Sequence, residues 1–89
     1  MSWTVTFTSK AGRQAQKLPK KERALLALLV KDLQLQGYSQ PNWKNYSRLG
    51  KDVYHCHLSY KWVACWIVKN GRLKLMEIYY AGSRENAPY

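Results

Sequence analysis

Two histidines stand two residues apart, at His55 and His57, within a stretch from Val53 to Leu58 that alternates as a strand does. Side chains on a strand share a face every second residue, so the two imidazoles would project together, opposite Tyr54, Cys56 and Leu58. Imidazole is the side chain whose charge changes near neutral pH. Around the pair the sequence offers fixed cations. Lys61 begins the next strand, Lys44 and Arg48 lie on a basic segment before the histidines with Lys51 at its end, and Arg84 follows the last strand. Aromatic residues are interleaved with them at Trp43, Tyr46, Tyr60, Trp62 and Tyr89. Cations that grip phosphates, set among rings that stack on bases, are what single-stranded RNA recognition requires. The plainer alternative for Arg84 is a pairing with Glu77 or Glu85.

Other chemistries find little footing. His55-Cys56-His57 invites a zinc reading, but on a strand Cys56 points away from both histidines, and Cys65 would pair with Cys56 more readily than with either of them. No finger or ribbon spacing is present. There is no Gly-rich phosphate loop, no paired-carboxylate constellation and no nucleophile elbow, so no metal or other cofactor is expected. Two cysteines in 89 residues do not make a secreted disulfide scaffold and read as buried thiols in a reducing cytoplasm. No apolar run approaches the roughly 18 residues of a membrane span. Met1 to Lys10 lacks the basic start and apolar block of a signal peptide. What remains is charge: Lys+Arg 15 against Asp+Glu 5 gives +10, and a domain so basic is expected to meet a polyanion.

The elements that must position these residues follow from periodicity. Trp3 to Thr8 alternates large apolar residues with Thr and predicts a half-buried strand. Ser9 is the expected N-cap of a short helix from Lys10 to Lys17. Pro19 suits the first turn of a second helix, about Lys20 to Gln36, ending at Gly37. Leu25, Leu26, Leu29 and Leu33 form its apolar stripe with Leu18 and Val30 beside them, and Lys20, Lys21, Glu22, Lys31, Asp32 and Gln34 its wet side. Trp43 to Leu49 reads as a short basic strand, Val53 to Leu58 as the histidine strand, and Trp62 to Val68 as a strand covered on both faces. Asn70-Gly71 predicts a tight hairpin with positive φ at both residues. Leu73 to Tyr80 returns, and Ala81 to Tyr89 is a polar tail. The expected fold is α+β in one domain over residues 1–89: β-α-α-β-β-β-β, a mainly antiparallel curled sheet with two helices on one face, the other face open for function.

In this order the pattern resembles the RelE/ParE superfamily of bacterial toxins, nearest its RelE-like mRNA interferases. The resemblance spans essentially the whole chain. It is carried by Leu49-Gly50 followed by Tyr54-His55-Cys56-His57-Leu58, by Tyr60-Lys61-Trp62-Val63, by Tyr80-Ala81-Gly82-Ser83-Arg84, and by Tyr89 near the C-terminus. Lys61 stands where the family usually has arginine, and Ser83 where it often has histidine. The resemblance implies the toxin of a toxin–antitoxin system, bound by a cognate antitoxin in a hetero-oligomer. Its activity would be that of a metal-independent endoribonuclease cutting mRNA in the ribosomal A site, without a membrane partner. The ribose 2′-hydroxyl would attack the adjacent phosphate. The catalytic set implied is His55, His57, Lys61, Arg84 and Tyr89, with Lys44, Arg48 and Lys51 holding RNA. The alternatives are a ParE-like inhibitor of DNA gyrase and a non-catalytic module that binds RNA or the ribosome.

Overall fold

The computed structural model describes residues 2–89; Met1 lies outside the described residues. The elements follow in the order β1 (Thr4–Phe7), α1 (Ser9–Gln16), α2 (Lys20–Gln36), β2 (Ser47–Gly50), β3 (Val53–Ser59), β4 (Trp62–Asn70) and β5 (Leu75–Ser83). The strands form one five-stranded sheet in the order β1-β5-β4-β3-β2. β2 to β5 are an antiparallel meander, and β1 closes the other edge parallel to β5, with Thr4 opposite Leu75. Both helices pack on one face, as expected.

Leu29 and Leu33 of α2 are completely buried, with Leu26 and Leu18 nearly so, against Cys56, Trp66, Met76 and Ile78 of the sheet. Each such side chain removed from water contributes about 1.5–3 kcal/mol. The stripe read from leucine spacing is therefore the one the core uses. Glu22 departs from it. Expected on the wet side, it is 7% exposed, and its carboxylate accepts a 2.8 Å hydrogen bond from the Ser59 hydroxyl at the end of β3. A buried carboxylate needs such a donor. The cap of α1 also moves by one residue. Thr8 is the N-cap, its hydroxyl accepting from the Ala11 N–H at 3.0 Å, and Ser9 is already helical. Thr8 serves both elements, since its own N–H donates to the Ile78 carbonyl. Among the described residues no helix is long and apolar enough to cross a membrane.

The strand boundaries that depart furthest from expectation are those of β2 and β5. Trp43 to Tyr46 is turn, not strand: the Trp43 indole N–H donates to the Asp32 carboxylate at 2.8 Å, and Asn45 adopts φ 54°. The pull of α2 on Trp43 thus delays β2 until Ser47. At the β4–β5 hairpin neither Asn70 nor Gly71 takes positive φ; Lys74 does, at 52°. The Asn70 side-chain oxygen accepts from the Leu73 N–H at 3.0 Å, so asparagine shapes a wider turn through its side chain. β5 consequently starts at Leu75 and runs on through Ala81 to Ser83, residues expected in the tail.

Candidate functional site

β3 sorts its side chains by alternation. Tyr54, Cys56 and Leu58 enter the core beneath the helices, while His55 and His57 face the opposite side. There His55 lies opposite Cys65 and His57 opposite Val63 on β4. Val63, Cys65 and Tyr80 form a second, smaller apolar cluster, edged by Leu49, Tyr79 and Ala87. The face expected to be open is thus partly closed by the chain's own last residues. The Tyr89 ring sits 4.4 Å from the His55 ring, centroid to centroid, and the two imidazoles are 5.9 Å apart. Ser47, directly across from His55 on β2, places its hydroxyl 3.0 Å from His55 Nδ1.

Burial on this face shifts the protonation of these groups. Burial holds His55 below the ordinary imidazole value, the neighbouring His57 adds to the effect, and a hydrogen bond to the Ser47 backbone opposes both. His57 is also held low, first by burial and then by the Arg84 guanidinium; backbone hydrogen bonds at Tyr60 and Ser59 oppose this, and Lys44 reinforces it. Tyr89 is pushed up, chiefly by burial, and Arg84 pulls it back. At neutral pH the site therefore holds two uncharged imidazoles able to accept a proton and a phenol that keeps its own. Burial raises Cys56 and Cys65 to about 12, so both remain thiols. They lie in the two different clusters, on opposite faces of the sheet, and are the buried free thiols expected from sequence.

The cations arrive by different routes. Ser59 pairs with Trp62, leaving Tyr60 and Lys61 as the exposed hairpin turn. The Arg84 N–H donates to the Lys61 carbonyl at 2.7 Å, extending the β4–β5 ladder by one bond. Arg84 then lays its guanidinium 4.8 Å over the Tyr60 ring, a cation–π contact. It makes no ion pair with Glu77, which pairs with Lys69 at 3.6 Å. Lys61 and Arg84 share a hollow of about 160 Å³ with Tyr60, Trp62, Ser83 and Glu85. The close approach of Tyr80 decides how β5 ends. Its hydroxyl donates to the Ser83 carbonyl at 2.7 Å, and a Cβ at position 82 would lie 2.8 Å from the Tyr80 hydroxyl oxygen, so any side chain there would push the ring out of this bond.

Of the eight residues singled out from sequence, the structure brings His55, His57, Arg84 and Tyr89 to one end of this face, with Lys61 on its rim. Lys44 joins them through its backbone, its carbonyl accepting from the His57 N–H at 2.8 Å. Arg48 does not join. It is in register with Tyr54, on the helix side, and its Nε donates to the Gly50 carbonyl. Lys51 is exposed in the β2–β3 turn. Among the aromatics, Trp43, Tyr46 and Trp62 pack against the helix-side core, leaving Tyr60 and Tyr89 beside the imidazoles' face. Ser47 went unnoticed in the sequence. Counting back across the turn at Gly50 to Asp52 would have put it opposite His55.

No protein-family model matches the chain, and no curated protein matches it in sequence. Solved structures match it over nearly its whole length. A chain of the archaeal RelE–RelB complex from Pyrococcus horikoshii OT3 superposes with a TM-score of 0.76 at 18% identity, covering 98% of this chain and 100% of that one. The isolated E. coli RelE toxin gives 0.75 at 18% identity, covering 98% of this chain and 89% of that one. A chain of the E. coli DinJ–YafQ toxin–antitoxin complex gives 0.77 at 13% identity, with both chains covered completely. At such identities the likeness is one of architecture: the chain has the fold of the RelE/ParE-superfamily toxins.

Proposed function

We propose that the chain is the toxin of a toxin–antitoxin pair and that it cleaves mRNA on the ribosome without a metal. The reading rests on one observation: two neutral imidazoles, a protonated phenol and a guanidinium converge at one end of the sheet face. Cleavage by the neighbouring hydroxyl needs these types. A neutral imidazole, His57 or His55, takes the ribose 2′-OH proton as the 2′-oxygen bonds to phosphorus. Arg84 lies against the phosphate, its planar fork matched to two oxygens, and balances the charge that grows on them. Lys61 adds a second cation from the rim. The P–O5′ bond breaks, and Tyr89 gives its proton to the leaving oxygen. The products are a 2′,3′-cyclic phosphate and a 5′-hydroxyl. Tyr60, 66% exposed and backed by Arg84, offers a ring on which a base can stack. The relatives solved as toxin–antitoxin complexes support a cognate antitoxin as partner.

The test is induction of the chain alone in a bacterial host, with growth and ribosome-associated mRNA 5′ ends followed together. The expected outcome is growth arrest with new 5′-hydroxyl ends, lost in Arg84→Ala and sharply reduced in His57→Ala. Arrest with intact mRNA and blocked supercoiling would transfer the chain to the gyrase-inhibitor reading. Equal toxicity of both variants and the parent would remove the proposed roles.

A further inference from the structure

A second hollow wraps around the same end of the sheet from the helix side. Lys10, Gln14 and Lys17 from α1 and its C-cap form one wall, and Trp62, Ser83 and Asn86 are among the residues of the other. At about 440 Å³ it falls within the range of ligand sites, about 300–1,000 Å³. Residues 10, 14 and 17 recur at helical spacing, so one face of α1 presents both ammonium groups to the hollow. Gln14 is fixed in place because its side-chain oxygen accepts the Ala81 N–H at 3.1 Å, which leaves its amide nitrogen as a donor. No carboxylate side chain lines the hollow. Two point charges and neutral donors without an opposing acid suit an anion.

Its neighbour identifies the anion. Trp62 and Ser83 line both this hollow and the one that holds Lys61 and Arg84. The two thus adjoin at the sheet's end, and a chain with a phosphate against Arg84 can run on past Trp62 toward Lys10 and Lys17. We infer that the α1 hollow is a second phosphate-binding subsite for the same single RNA strand, holding its backbone beyond the nucleotide at Arg84. This rests on the reading of the chain as an RNA-binding toxin, though not on its cutting RNA.

The experiment uses the full chain and 2′-O-methyl RNA, which binds but cannot be cleaved. Fluorescence anisotropy is followed against salt for a trinucleotide and for an oligonucleotide of about twelve residues, a length within single-strand site sizes. For the longer probe, Lys10→Ala with Lys17→Ala should weaken binding about five- to tenfold and lower the salt slope by about 1.4, two phosphates at about 0.7 each. The trinucleotide should bind parent and variant alike. The control pair, Lys31→Ala with Arg72→Ala, removes the same charge from exposed positions near the sheet's other end, where Trp3 bonds to Gln34 and Thr4 to Lys74. It should change binding less than about twofold. Equal losses in the two pairs, an equal loss with the trinucleotide, or no binding of the longer probe by the parent would each overturn the subsite. Groove-dependent binding with no mRNA cleavage in the induction test would leave the subsite standing and remove the nuclease.

Discussion

Tyr54 and His55 are neighbours on β3 and each keeps 7% of its surface exposed, yet they are closed off by different things. Tyr54 lies beneath the face packed by α1 and α2, stacked between Tyr38 and Tyr46 at centroid distances of 5.0 and 6.1 Å. His55 lies beneath a short tail whose contributions are Ala87 and the half-exposed Tyr89 ring. The first cover is continuous with the helix-side core through Trp66, which stacks on both Tyr46 and Tyr54. The second is made of a few partly exposed residues outside any helix or strand, the kind of segment whose opening is less costly than that of a core element. The two imidazoles are on the side with the smaller and more exposed cover.

The largest test of this contrast is on the helix side. Leu29→Ala should cost about 3–4 kcal/mol in urea unfolding, because a fully buried leucine leaves a cavity. Ser59→Ala should cost less, about 1–3 kcal/mol, by leaving the buried Glu22 carboxylate without its hydroxyl donor. Tyr89→Ala on the other side should cost under about 1 kcal/mol. If removing Tyr89 destabilises the protein as much as removing Leu29, the two covers are energetically one and the contrast fails.

The pH dependence sharpens the same comparison. Both imidazoles are held below the ordinary value in the folded protein, so below about pH 6.5 the unfolded chain binds protons that the folded chain does not. Their contribution to stability is therefore intact above that pH and declines as pH falls toward the folded values. His55→Gln with His57→Gln should flatten this decline in unfolding midpoints measured from pH 7.5 to pH 5. The smallest effects are spectroscopic. Arg84→Ala should raise the His57 pKa by removing a repelling cation, whereas Tyr89→Ala should raise that of His55 by rewetting it; NMR titration of the ring C–H signals separates the two. A Tyr89 variant that leaves His55 unmoved would mean that β-sheet neighbours, not the tail, keep it dry.

The elements that were legible are those whose cause is local. The leucine stripe of α2, the alternation of β3 and the apolar run of β4 each encode their environment in consecutive residues, and from them the β-α-α-β-β-β-β order follows. The errors fall where a distant partner intervenes. Trp43 is drawn out of a strand by Asp32, Glu22 is drawn inward by Ser59, and Thr8 displaces Ser9 as cap while its own N–H engages β5. At the hairpin, Asn70 uses its side chain where a backbone conformation was expected.

The two arginines nearest the histidine strand mark the division. By itself the sequence determines that His55 and His57 share a face, because alternation is a property of one strand. It supplies both Arg48 and Arg84 as cations for that face, one to hold RNA and one for catalysis. Only the tertiary structure separates them. The register of β2 on β3 turns Arg48 to the helix side, whereas the Lys61 carbonyl and the Tyr80 ring folded over Gly82 hold the chain that carries Arg84 beside Tyr60. Register and close approach depend on residues far apart in the chain, and a shift of one position would exchange the two faces.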